Sequence, residues 1–191
     1  MKLDLAAGSR PVEGYTPVDV VKVTPETIVF DLISGHRWPF ADDSVDALMC
    51  RHFVEHIPAE DRNCWHVTQR DGMPYGRWVK QDLLFWFFDE AFRIAKPGAE
   101  LRLIWPSLKS SDAFRDPTHR RFLPLEFTHY LCLAGREFMH VEHYVVSCNW
   151  VSVEDTTCLD LEKRDPPWTV QESERVWDAQ KAWSITLRAE K

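Results

Sequence analysis

The chain has 191 residues, and with about 150 residues per domain as a prior a single domain over the whole chain is expected. Hydrophobic residues make up 45% of it, which excludes a disordered chain. Thirty Asp and Glu against 23 Lys and Arg leave a net charge of −7 and a pI near 5.6. That balance argues against sequence-independent nucleic-acid binding, which needs many cations.

Met1-Lys2-Leu3-Asp4 carries no signal-peptide core. The longest apolar run, Leu83-Leu84-Phe85-Trp86-Phe87-Phe88, is far short of the roughly 20 residues a bilayer span requires. No membrane association and a cytoplasmic location are therefore expected. The five cysteines, Cys50, Cys64, Cys132, Cys148 and Cys158, are odd in number and form no C-x-x-C. They read as reduced thiols, without a disulfide frame and without a metal site.

In chain order, residues 2–6, 16–21, 27–30 and 45–50 are short apolar or β-branched runs separated by turn signals, as in a sheet covered on both faces. Residues 79–95 carry a helical apolar stripe, Val79, Leu83, Phe87, Ala91 and Ile94, that stops at Lys96-Pro97-Gly98. A strand over 101–105 ends at Pro106. A helix is expected over 125–133, strands over 140–151 and 182–189, and a surface loop over 154–174 around Pro166-Pro167. Residues 58–78 are polar and irregular, and read either as a lid or acceptor-binding insertion or as a plain surface loop. The order of elements predicts an α/β domain, in which ligands sit at the carboxyl ends of the parallel strands.

The residues just after the early runs are thus the ones to weigh. Ala6-Ala7-Gly8 is a small-residue turn that brings backbone close to a ligand, or merely a turn. Asp19, ending the second run with Val20 beside it, is suited to accept hydrogen bonds from a ribose diol, or to lie solvated in a loop. Asp31, followed by Leu32, can accept from an exocyclic amine, or cap a turn. Together, and in this order, they match what a nucleoside lying across strand ends requires.

These stretches resemble class I S-adenosylmethionine-dependent methyltransferases, in particular the compact methyltransferase type 11-like group. The resemblance rests on Leu3-Asp4-Leu5-Ala6-Ala7-Gly8, Gly14-Tyr15-Thr16-Pro17-Val18-Asp19, Asp31-Leu32 and Pro39-Phe40-Ala41-Asp42-Asp43-Ser44-Val45-Asp46. It continues through Glu55-His56-Ile57, Lys96-Pro97-Gly98 and Leu103-Ile104-Trp105-Pro106, and so covers residues 2–106 in pieces. It implies a three-layer Rossmann-like sandwich with a mainly parallel seven-stranded sheet, one strand antiparallel, and a minimal N-terminal half. It also implies S-adenosyl-L-methionine as cofactor. Asp4, Ala6, Gly8, Asp19, Val20, Asp31, Leu32 and Arg51 would line the cofactor, and Arg51 and His52 would stand beside the sulfonium and the incoming acceptor.

Two departures accompany it. Ala6 and Ala7 replace the usual glycine and cysteine of the first turn. Ten residues separate Gly8 from Asp19 and eleven separate Asp19 from Asp31, whereas parallel crossovers take about a dozen or more. The covering helices must be vestigial and one face of the sheet thinly covered, closed by the aromatic C-terminal part or by a second copy in a homodimer. An alternative reading is a non-catalytic binding or scaffold protein that keeps the fold.

His52, Glu55 and His56 form H-x-x-E-H, superficially like a zinc motif, but the Glu stands at a different place and no third ligand is indicated in sequence. His52 is kept as a site residue, and His56 with Glu55 is read as orienting the segment after the strand. Asp116-Pro117-Thr118-His119-Arg120-Arg121-Phe122 resembles a segment of compact, phage-like relatives and follows the fifth strand. There His119 is either a base toward the acceptor or a loop-fixing residue. Asp116, Arg120 and Arg121 are candidate contacts to an anionic small-molecule acceptor, or partners in surface ion pairs. His140, Glu142 and His143 cannot converge from one regular strand and read as ordinary surface or core residues.

Overall fold

The computed structural model describes residues 1–70, 73–153, 157–159 and 181–191. The main sheet is built from β1 (Lys2–Leu5), β2 (Thr16–Asp19), β3 (Ile28–Val29), β4 (Val45–Arg51), β7 (Ala95–Pro106), β8 (Trp150–Ser152), β9 (Thr157–Leu159) and β10 (Ala182–Ala189). Its strand order is β3-β2-β1-β4-β7-β10-β8, with β9 also on β10. β1 to β4 and β7 are mutually parallel, and β10 runs antiparallel to each strand it pairs with. The expected Rossmann-like, mainly parallel architecture with a reversed strand is present.

One face of the sheet is a continuous apolar surface. Leu3 and Leu5, Leu48 and Cys50, Leu101, Leu103 and Trp105, and Ile185 and Leu187 all point into one core. Against it packs α1 (Leu83–Ile94), whose Leu84, Phe87, Phe88, Ala91 and Ile94 repeat at helical spacing. Ring contacts knit this layer: Phe87 lies 5.3 Å from Trp38 and from Phe88, and Trp105 lies 5.2 Å from Phe127. The opposite face is thinly covered, as the short crossovers imply. Lys2, Arg102 and Arg188 are exposed on it, and Met49 and Ile104 are half-buried. Over β1 and β4 that third layer is coil, where Val12 N–H donates to Asp4 and Lys2 lies over the Tyr15 ring.

Five expectations are corrected. Most of 58–78 is regular strand: β5 (Asp61–Arg70) and β6 (Met73–Asp82) pair antiparallel along their length. The helix starts at Leu83, not at Val79, because β6 pairing runs through Asp82, whose carboxylate then caps α1 by accepting from Leu84 N–H at 2.8 Å. The expected helix over 125–133 is a 3-10 segment, Leu125–Leu131, followed by the short α3 (Leu133–Phe138). Of the expected 140–151 strand only 150–151 is strand, the start of β8. In the stretch before it, side chains take the backbone bonds: Asp89 accepts from Ser147 and Cys148 N–H, and Arg136 and Gln81 donate to the Cys148 and Val145 carbonyls. Of the loop expected over 154–174, residues 157–159 form β9, and the rest lies outside the described residues.

Among the described residues, Cys50, Cys64, Cys132 and Cys148 are free thiols, and burial raises the pKa of Cys50 and Cys148 well above the ordinary range. No described helix is long and apolar enough to cross a membrane.

Candidate functional site

Two clefts meet at the carboxyl ends of the parallel strands. The first, about 510 Å³, is lined by Ala6, Asp19, Val20, Phe30, Asp31, Leu32, Ile33, Phe53 and His56. Ala6 follows β1, Asp19 ends β2, and Phe30 and Asp31 follow β3, so three adjacent strands supply its floor. Phe30 N–H donates to the Asp19 carbonyl at 2.9 Å, which ties the ends of β2 and β3 together.

The acids in this cleft are held by backbone. Asp19 accepts from Gly8 N–H at 2.9 Å and from Val21 N–H at 3.0 Å, one bond to each oxygen. An ionised carboxylate oxygen can accept two bonds, so each keeps a free acceptor site. Asp31 spends one oxygen on Ile33 N–H at 3.0 Å. Leu32 is fixed from behind, its carbonyl accepting from the indole of buried Trp38. Trp38 N–H in turn donates to Glu90 of α1, and Arg93 braces that pair. The turn after β1 is left-handed: Ala6 has φ +54° and Gly8 φ +60°. That conformation suits Gly8 but strains Ala6, where the sequence departs from glycine.

Three predicted residues, Gly8, Asp4 and Arg51, are not in the wall of this cleft. Asp4 is buried and bonds Val12 N–H, and its Oδ2 lies 3.2 Å from Arg51 Nη2. Arg51 also donates to the Arg10 carbonyl at 2.7 Å. Together they hold the coil that carries Gly8. Phe30, Ile33 and Phe53 line the cleft and were not singled out in sequence. The signal for Phe30 and Ile33 was their position on either side of Asp31-Leu32.

The second cleft, about 690 Å³, shares His56 with the first and is lined by His52, Glu55, Pro106, Asp112, Arg115, Asp116, Pro117, His119, Lys181 and Ala182. His52 takes φ +51° just past β4 and its amide donates to the Ile104 carbonyl, which leaves the imidazole exposed. Glu55 is 3% exposed, and among the described residues neither of its carboxylate oxygens has a hydrogen-bond partner. His52 Nδ1 lies 3.5 Å from one of them. His119 Nδ1 donates to the Ala113 carbonyl at 2.7 Å, and the two rings His56 and His119 stand edge to face at 4.7 Å. Asp116 accepts from the Thr118 hydroxyl and amide, and these bonds lower its pKa.

His52, His119 and Asp116 are therefore brought together, and the two arginines are not. Arg121 donates to the Ile57 and Pro58 carbonyls and forms a two-oxygen pair with Asp82 at 2.8 and 2.9 Å. It clamps the loop to the start of α1 and is absent from the cleft wall. Arg120 contributes its amide to the Glu55 carbonyl while its side chain is exposed outside the cleft. The arginine that does reach the cleft is Arg115, paired with Asp112 at 2.7 Å.

No family model matches the chain, and no curated protein matches it in sequence. Solved structures do match its fold. It is similar to an S-adenosylmethionine-dependent methyltransferase from Archaeoglobus fulgidus, with a TM-score of 0.57 and 15% identity over 98% of this chain and 85% of that one. An S-adenosylmethionine-dependent methyltransferase from Methanosarcina mazei gives 0.56 and 15% over 99% and 92%. The 1,6-didemethyltoxoflavin-N1-methyltransferase of Burkholderia thailandensis, solved with 1,6-didemethyltoxoflavin and S-adenosylhomocysteine, gives 0.52 and 11% over 100% and 71%.

Proposed function

We propose that this chain, which has the fold of class I S-adenosylmethionine-dependent methyltransferases, transfers a methyl group from S-adenosyl-L-methionine to a small-molecule acceptor. The observation that carries the proposal is one cleft in which Asp19 and Asp31, from neighbouring strands, frame the apolar side chains of Val20, Phe30, Leu32 and Ile33. In this reading the spare acceptor positions of Asp19 take the ribose hydroxyls, and Asp31 takes the exocyclic adenine amine. Leu32 and Ile33 flank the base, and the turn Ala6–Gly8 admits the methionine tail. The cleft volume falls within the range of small-ligand sites.

S-adenosyl-L-methionine supplies an activated methyl group on a sulfonium. A lone pair of the acceptor forms the new bond to that carbon as the carbon–sulfur bond breaks, and the acceptor loses a proton. What the protein contributes is alignment and proton handling. The acceptor lies in the second cleft, adjoining the first at His56. His52 and His119 border it and are available to hydrogen-bond the acceptor or take its proton. Arg115 offers a positive charge to an anionic acceptor, as the loop of Asp116 was read in sequence to do.

Calorimetric titration with S-adenosylhomocysteine tests this directly. Saturable binding is expected, and it should weaken in Asp19→Ala. Absence of binding at millimolar ligand would overturn the enzyme reading in favour of a fold-retaining scaffold.

A further inference from the structure

The second cleft contains a constellation that methyl transfer does not require. Glu55 follows β4 in the 3-10 turn Val54–His56, His56 is its neighbour, and His119 arrives from a loop more than sixty residues later. One ligand-type atom from each of these three residues lies within 4.8 Å of the others.

Two independent features point this cluster at a ligand. The first is Glu55: a nearly fully buried carboxylate that accepts no hydrogen bond among the described residues and whose one ion-pair contact there is the exposed His52 imidazole at 3.5 Å. Burying an unsatisfied charged group is costly, and native structures rarely keep one without a partner for it. The second is the orientation of the two rings. The Ala113 carbonyl can only accept, so His119 donates through Nδ1 and Nε2 is the nitrogen that keeps its lone pair. His56 Nδ1 lies 3.0 Å from the Thr118 hydroxyl, whose own proton is directed at Asp116 at 2.7 Å. His56 therefore also donates through Nδ1 and also presents a bare Nε2. Imidazoles held through one nitrogen by a carbonyl or a carboxylate-backed hydroxyl are the arrangement that supports metal-ligating histidines.

We propose that Glu55, His56 and His119 form a binding site for a divalent transition-metal ion, with its remaining coordination positions open to the second cleft. Two imidazoles and one carboxylate suit Zn²⁺, Fe²⁺ or Co²⁺ and leave room for exogenous ligands. Mg²⁺, which prefers oxygen donors throughout, is a poor match. Tetrahedral coordination at bond lengths of about 2.0–2.1 Å places donor atoms ~3.3 Å apart, so the three groups need to close by at most about 1.5 Å. His52, 3.5 Å from Glu55 and exposed, stands beside the open side. Resting on the methyl-transfer reading, the ion would bind an acceptor oxygen or nitrogen next to the methyl donor and favour its deprotonated form. His119 Nε2 then serves as a ligand, and proton removal falls to His52 or to water.

The test is titration of chelator-stripped full-length protein with Co²⁺, read by its visible absorption. One ion per chain is expected, displaced by Zn²⁺ and not by excess Mg²⁺. Glu55→Gln and His119→Ala should abolish the absorption. Thr118→Val, which removes the hydroxyl behind His56 together with its bond to Asp116 and leaves all three ligands in place, should weaken binding about 10- to 100-fold. Circular dichroism identifies any variant that does not fold, and His56→Gln then takes its place. No Co²⁺ signal in the wild-type chain, an affinity unchanged in the folded variants, or equal displacement by Mg²⁺ would overturn the site. S-adenosylhomocysteine is titrated in the same preparation. Nucleoside binding without metal overturns this inference alone, whereas metal without nucleoside overturns the methyl-transfer reading and leaves the site standing.

Discussion

Two halves of the sheet solve the same topological problem differently. From β1 to β3 the chain returns to a parallel neighbour through coil, residues 6–15 and then 20–27. From β4 to β7 it returns through a hairpin and the twelve-residue α1. The second half is held by apolar burial, with Phe87 and Phe88 fully enclosed among Trp38, Phe53 and Phe127. The first half has no helix to bury, and polar groups replace it: Asp19 staples Gly8 and Val21, while Asp4 and Arg51 staple Val12 and Arg10. The difference teaches that in the coil half the staple and the candidate binding group are the same carboxylate. Substitutions there mix binding with folding, whereas substitutions in the aromatic layer of α1 act on folding alone.

The largest expected effect probes the helical half. Phe87→Ala should cost about 3–5 kcal/mol of stability, measured by urea denaturation. A loss under 1 kcal/mol would mean that the aromatic layer is not what holds α1 to the sheet. Next is the coil half: Asp19→Ala should weaken S-adenosylhomocysteine about 10- to 100-fold in calorimetry, the loss of hydrogen bonds to a charged group. Asp19→Asn separates the two roles. It keeps one acceptor, so the melting temperature should recover more than the affinity does. A smaller effect is expected at the strained turn. Ala6→Gly relieves a left-handed alanine but loosens the unfolded chain, and a net gain of at most about 1 kcal/mol is expected by thermal unfolding, with tighter nucleoside binding. Loss of stability in Ala6→Gly would remove strain from the account of this turn.

The smallest effect concerns acid. Asp46, hydrogen-bonded to Lys96 and to the amino terminus, has its pKa lowered to about 2, and Arg93 and Arg37 lower that of Asp42. A carboxyl with a depressed folded pKa adds stability that is fully present above its ordinary value near 4 and is lost as pH falls toward the folded value. Stability should therefore decline between about pH 4 and 2, and Asp46→Asn should make that decline shallower. Both acids are exposed, so screening by salt keeps the change small.

Much of this was legible in sequence where the signal is local. The strand-end positions of Ala6, Asp19, Asp31 and Leu32 follow from short apolar runs, and these residues do line one cleft. The final strand, 182–189, is also where its pattern places it. What escaped depends on pairing across distance. Residues 61–82 lack a clean alternation, and the Asp71-Gly72 dipeptide between them was the available hairpin cue. Arg121 looked like a substrate cation because its partner, Asp82, is 39 residues away. His119 could not be joined to Glu55 and His56 from spacing alone, since the loop that brings it back has no periodicity to read. The stretch before Trp150 looked like strand because it is rich in valine and aromatic residues, yet Asp89 and Gln81 intercept its backbone.

Asp82 closes β6, caps α1 and grips Arg121, and Arg121 lies two residues beyond His119. One carboxylate thus yokes the tip-bearing hairpin, the central helix and the histidine loop at a single pivot. Removing that carboxylate would therefore loosen three elements at once, the histidine loop among them.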